Sequence, residues 1–120
     1  LAMEQQGSPD ALAISIGNVH RLESGSVEID MKRFNELEKA LSIPLVIHGT
    51  SGLDDKDIKI LSKRHVTKFN VGTVLRKSFG SSLRATLNSN PELFDRITIM
   101  QQVIPDLKDT ATKVIDLLGQ

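Results

Sequence analysis

The 120-residue chain contains no cysteine. That removes disulfides, thiolate metal sites and cysteine nucleophiles together, leaves His and carboxylate as ligands for any metal, and fits a reducing cytoplasm. The chain also lacks a surplus of charge, because its 15 basic and 15 acidic side chains cancel. No broad electrostatic footprint therefore recommends nucleic acid or an anionic membrane as a partner, and any anion site has to be local. No apolar run approaches the roughly 20 residues needed to span a bilayer, and the first residues carry no basic-then-apolar export pattern. The expectation is a soluble, cytoplasmic protein.

What is present is alternation. Leu1-Ala2-Met3-Glu4-Gln5-Gln6 reads as the last turn of a helix, closed by Gly7-Ser8-Pro9. A strand-like run, Ala11 to His20, follows at once. After the polar stretch from Arg21 to Glu28, Asp30 is placed to cap a helix with Met31, Phe34, Leu37 and Leu41 on one face, and Pro44 stops that helix. The run Ile43-Pro44-Leu45-Val46-Ile47 predicts a second strand. Leu53-Asp54-Asp55 starts a helix through Ile58 and Leu61, with Lys63 and Arg64 at its C-terminal end; Asp54, Asp55 and Asp57 complement its dipole. A third strand, Val66 to Val71, precedes a helix from Thr73 carrying Leu75, Phe79, Leu83 and Leu87 and ending before Asn88-Ser89-Asn90-Pro91. Met100, Val103, Ile104, Leu107, Ala111, Val114, Ile115 and Leu118 then keep helical spacing, with Pro105 in a first turn or at a kink. That stripe reads as core or subunit contact. The order β-α-β-α-β-α argues a parallel α/β sheet, which works at the C-terminal ends of its strands.

Those ends carry His20, His48 and Asn70 in turn. His48 opens the sequence His48-Gly49-Thr50-Ser51-Gly52, in which an imidazole suited to metal adjoins backbone N–H groups suited to phosphate. Taken singly, each piece has a plainer reading. A histidine at a strand end is often a hydrogen-bonded structural residue, Gly49 to Gly52 is also a turn, and Gly72-Thr73 is also a helix start capped by Thr73.

Three segments in order and at this spacing, Asp10 to His20, Pro44 to Gly52 and Lys68 to Thr73, with the two histidines 28 residues apart, resemble the C-terminal part of class II, metal-dependent fructose-bisphosphate or tagatose-bisphosphate aldolases. The resemblance implies that residues 1–120 form the C-terminal portion of a TIM (β/α)8 barrel, three parallel strands with their helices. It implies zinc as the divalent metal, with His20 and His48 as two of three histidine ligands. Gly49 and Ser51 match one phosphate loop, Gly72 and Thr73 a second, and Asn70 a contact to the dihydroxyacetone part of the substrate. No catalytic residue falls in the chain, since the proton-transferring Asp and the third histidine belong to an earlier segment, the N-terminal half of the barrel. The implied reaction is reversible aldol cleavage of a ketose bisphosphate in carbohydrate metabolism such as glycolysis. A metal there stabilises the enediolate oxygen as a Lewis acid.

Two positions depart from the pattern. Arg21 replaces a glycine at which backbone approaches phosphate or a monovalent cation, and His65, a surface or capping residue, stands where glycine is more usual. A fragment of a barrel exposes apolar faces, which predicts a homo-oligomer and an inactive isolated chain. The alternative is a non-catalytic phosphate-binding module, or a structural and assembly fragment.

Overall fold

The computed structural model describes residues 9–17 and 28–119, with residue 51 described by its backbone. The expected first helix turn, and with it Asn18, His20 and Arg21, lies outside the described residues. The chain divides into two compact units, Leu1–Val71 and Gly72–Gln120.

The first unit holds a parallel three-stranded sheet in the order β1 (Leu12–Ile14), β2 (Leu45–Ile47), β3 (Val66–Phe69). β2 is central and apolar at every position, and Leu45, Val46 and Ile47 are all buried, as a strand covered on both faces requires. Between β1 and β2 runs α1 (Met31–Ala40), and between β2 and β3 runs α2 (Asp55–Leu61). This is the parallel strand–helix alternation that the expected barrel segment calls for.

Each element starts where its chemistry directs. The carboxylate of Asp30 accepts the Arg33 N–H at 2.8 Å and caps α1 as expected. The helix ends at Ala40 because Leu41 turns extended, three residues ahead of Pro44. α1 buries Phe34, and α2 buries Ile58 and Leu61. Asp55 and Asp57 occupy the first turn of α2, where they complement its dipole.

The turn after α2 is tied back to α1. Arg64 forms an ion pair with Glu38, donates to Asn35 Oδ1 at 2.9 Å, and lays its guanidinium 5.2 Å from the centre of the Phe34 ring. The Arg64 hydrogen bond and the His65 N–H hold the Glu38 carboxyl below its ordinary range. The His65 N–H reaches Glu38 Oε1 at 3.0 Å, and the His65 carbonyl accepts the Leu45 N–H at 3.1 Å. His65 thus anchors the start of β3 through its backbone, and its side chain is exposed.

Pairing between β2 and β3 begins with Leu45 opposite Val66, but the register then shifts, so that Val46 faces Lys68 and Ile47 faces Phe69. Thr67 is the extra residue of a bulge in β3. An unbroken register would set Phe69 opposite His48; the shifted one sets Asn70 there. Accordingly the Asn70 N–H donates to the Ile47 carbonyl at 2.9 Å.

The second unit contains α3 (Thr73–Ser89) and α4 (Arg96–Leu118). α3 runs through Asn88 and Ser89, beyond the expected end, and closes at Asn90, whose N–H donates to the Thr86 carbonyl. Pro91 therefore limits the helix, and the asparagines before it do not. Pro105 sits in the interior of α4, not in its first turn. Asp95 caps α4 by accepting from the Thr98 N–H at 2.9 Å and hydroxyl at 2.7 Å, and the N–H bond holds its carboxyl below the ordinary range.

A polar seam joins α3 and α4. The buried Ser82 hydroxyl donates to Asp106 Oδ2 at 2.6 Å, and Ser78 donates to the Asp106 carbonyl at 3.3 Å. The Thr110 hydroxyl is shared between that carbonyl, at 2.8 Å, and Ser78 Oγ, at 2.9 Å. No helix among the described residues is long and apolar enough to cross a membrane.

Candidate functional site

β2 and β3 end side by side, and their next residues form the site. His48 leaves β2 directly and Asn70 leaves β3 directly. The Asn70 side-chain nitrogen Nδ2 lies 3.1 Å from His48 Nδ1 in a partly buried setting. The amide nitrogen can only donate, so in this contact the imidazole nitrogen is the acceptor. Two of the three strand-end residues expected at the site are therefore in contact. His20 falls outside the described residues.

Gly49 follows in the left-handed conformation, φ 64° and ψ 28°, which a side chain would strain. It opens a short 3₁₀ turn, Thr50–Gly52, closed by the Gly52 N–H to the Gly49 carbonyl and the Leu53 N–H to the Thr50 carbonyl. Both phosphate-loop candidates in this stretch, Gly49 and Ser51, lie in that turn. Thr50 was not singled out by the sequence, yet it is 3% exposed and its hydroxyl has no hydrogen-bond partner among the described residues. A buried hydroxyl in that state marks a loop with room in its chemistry for a further polar partner. A threonine inside a turn of small residues gives no sequence signal for this, because its burial depends on the packing of distant segments.

The second unit begins with the other loop pair. Gly72 is the N-cap of α3 and Thr73 its first residue, so Gly72, not Thr73, occupies the capping position. The Thr73 hydroxyl accepts instead from Arg76 Nη2 at 3.2 Å. Arg76 Nη1 stands 2.8 Å from where a Cβ on residue 72 would be, so glycine lets the guanidinium lie close over the helix start. Sequence reasoning passed over Arg76, although a basic residue in a first turn, against the helix dipole, was a signal that could have found it.

The donor chemistry at the strand ends, a neutral imidazole, suits a borderline metal such as zinc. Among the described residues, however, no three His, Cys, Asp or Glu side chains converge. By themselves the described residues therefore do not make a metal site.

The model of the family described as fructose-bisphosphate aldolase class-II matches residues 2–120. Among solved structures, the YdjI aldolase from Escherichia coli K12 is 26% identical, with a TM-score of 0.77 over 98% of this chain and 42% of its own. A Coccidioides immitis protein provisionally named a fructose-1,6-biphosphate aldolase is 19% identical, with a TM-score of 0.75 over 93% of this chain and 39% of its own, a likeness of fold. The chain thus spans about two fifths of the length of these structures, 42% and 39%. It corresponds to their C-terminal part.

Proposed function

This chain belongs to the class II fructose-bisphosphate aldolase family, and from that premise we propose that residues 1–120 supply the metal and phosphate side of an aldol-cleaving site acting on a ketose bisphosphate. The observation that carries the reading is the contact of His48 with Asn70, at 3.1 Å, at the C-terminal ends of adjacent parallel strands. That is the face on which barrel enzymes build their sites.

In this reading His20 and His48 hold a zinc ion together with a ligand from outside the chain. When bound, such a metal would supply Lewis-acid stabilisation of the negative charge that develops on a substrate oxygen during carbon–carbon cleavage. The chain's own residues bind and orient. Gly49 and Ser51 direct backbone and hydroxyl groups at one phosphate. Gly72 and Thr73 offer the N-terminus of α3 to the other, and Arg76 adds a cation to that helix start. Asn70 presents its amide to the dihydroxyacetone end. Proton transfer falls to a carboxylate outside the chain, so residues 1–120 alone bind without turning over. A monovalent cation is an optional further ligand, and Arg21 takes the place of the glycine that would receive it.

Fructose and tagatose bisphosphates are the substrates of this reading, in a cytoplasmic setting. Self-association is part of it as well. α4 leaves Ile97 62%, Ile104 54% and Ile115 49% exposed, an apolar stripe suited to a second copy or to the rest of a barrel.

The test is a chimera in which residues 2–120 replace the matching C-terminal part of the Escherichia coli YdjI aldolase. Cleavage of the parent enzyme's substrates by the chimera, abolished by His48→Ala, is the expected result. A folded, zinc-loaded chimera whose activity is indifferent to His48→Ala contradicts the reading.

A further inference from the structure

Phe94 is 92% exposed, at the opposite extreme from Phe34 in the sheet unit. A phenyl ring left in water forgoes one of the larger hydrophobic gains open to a side chain. The residue stands in the link between α3 and α4, just ahead of Arg96, where α4 begins. Beside it, along the first turns of α4, lies an open groove of about 440 Å³ lined by Arg96, Ile97, Met100, Gln101 and Ile104. The spacing of Ile97, Met100, Gln101 and Ile104 puts them on one face of the helix. A different face, with Asp106 and Thr110, is bonded to α3. The exposure of Phe94 shows that the ring does not fill the groove next to it.

A protruding ring and an apolar groove side by side on one surface are self-complementary. Under a two-fold rotation each copy places its ring in the groove of the other, and the contact closes on itself. The charges agree with this. Phe94 stands between Glu92 and Asp95, and Asp95 already caps α4, which leaves the exposed Glu92 as the acid that travels with the ring. Arg96, also exposed, is the charged member of the groove lining. Seating the ring carries Glu92 of one copy toward Arg96 of the other, twice by symmetry, and sets a guanidinium at the rim of each ring. A small apolar ligand in the groove would leave Phe94 in water and Glu92 unused; a second copy engages both.

We infer that Phe94 and the Arg96–Ile104 groove form a reciprocal contact between two copies of this chain. The inference rests on the self-association in the proposed function and gives it a surface; it does not involve the metal. In the separated copies the same side chains are exposed, so the contact depends on concentration.

The experiment is sedimentation of the 120-residue chain from micromolar to millimolar concentration, with isotope-filtered NMR of a mixture of labelled and unlabelled copies. A dimer is expected, with intermolecular contacts from the Phe94 ring to the Ile97, Met100 and Ile104 methyl groups. Phe94→Ala should weaken association at least about tenfold. Arg96→Glu should weaken it as well, although an acid at a helix start favours the fold, and Glu92→Arg combined with Arg96→Glu should restore it. A dimer indifferent to Phe94→Ala, or one whose ring contacts lie outside the groove, overturns the reciprocal seating and leaves self-association standing. Failure of the double charge reversal to restore what Arg96→Glu removes overturns the pairing of Glu92 with Arg96. A chain that stays monomeric throughout overturns the contact and the self-association together.

Discussion

The two units of the chain bury different things. The sheet unit hides Ile16, Phe34, Leu45, Ile47 and Leu61 completely, each at 0% exposure. In the helical unit Val103 is the one hydrophobic residue in that state among the described residues, while Ser82 is buried on Asp106 and Phe94 stands 92% exposed. The difference teaches that apolar periodicity gives a helix without giving it a partner. α1 and α2 have a sheet to cover, so their stripes become core. The longer stripe of α4 keeps Ile97, Ile104 and Ile115 in solvent, and the seam that joins it to α3 is partly polar. Specific chemistry is best held where packing is complete: His48 stands at the end of the fully buried β2, and Asn70, at the end of β3, lies against it.

The sharpest way to break this contrast is to delete the same kind of side chain in each unit. Phe34→Ala should cost the sheet unit about 3–5 kcal/mol, since it leaves a buried cavity and takes the ring from under Arg64. Ile104→Ala, on an exposed position of α4, should change stability by less than about 0.5 kcal/mol. Urea unfolding followed by NMR probes in each unit separates the two, and equal losses would remove the distinction.

The polar seam should matter next. Ser82→Ala leaves Asp106 Oδ2 without its donor in a partly buried setting and should cost about 1–3 kcal/mol, read from the α3 and α4 probes of the same titration.

Thr50→Val acts in the opposite direction. It keeps the shape and removes a buried hydroxyl that lacks a partner among the described residues, so the sheet unit should gain about 1 kcal/mol by thermal or urea unfolding. A loss of that size would show that the hydroxyl is bonded in solution.

The smallest effect is electrostatic. Glu38 is held below its ordinary range chiefly by the Arg64 hydrogen bond. A carboxylate with a depressed folded-state value binds fewer protons folded than unfolded. Its stabilisation is therefore complete above the unfolded value of 4.5 and is lost as pH falls from there through the folded value. For a pair so near the surface solvent screening keeps this contribution small. Arg64→Met should flatten the pH dependence of stability below 4.5, measured against the parent chain.

Much of the fold was legible because each element announces itself locally. Asp30 before Met31, the uninterrupted Leu45-Val46-Ile47 and the helical spacing of Phe34, Ile58 and Leu61 needed no partner to be read. The class II aldolase resemblance rested on strand ends and loops, and the family match over residues 2–120 bears it out. The rest depended on contacts between distant segments. The bulge at Thr67 decides that Asn70 faces His48, and it is defined only by the pairing of β3 with β2, a segment about twenty residues away. The burial of Thr50 and the anchoring of His65 through its backbone arise the same way. Of the two places open to Pro105, a first turn or a kink, the extent of α4 from Arg96 to Leu118 leaves the helix interior.

The central claim is that His20 and His48 belong to a metal site, and zinc content tests it most directly. Elemental analysis of the purified chain should find zinc that is lost in His20→Ala and in His48→Ala and retained in His65→Ala. Zinc retained in both the His20→Ala and the His48→Ala variants, or absent from every sample, would contradict it.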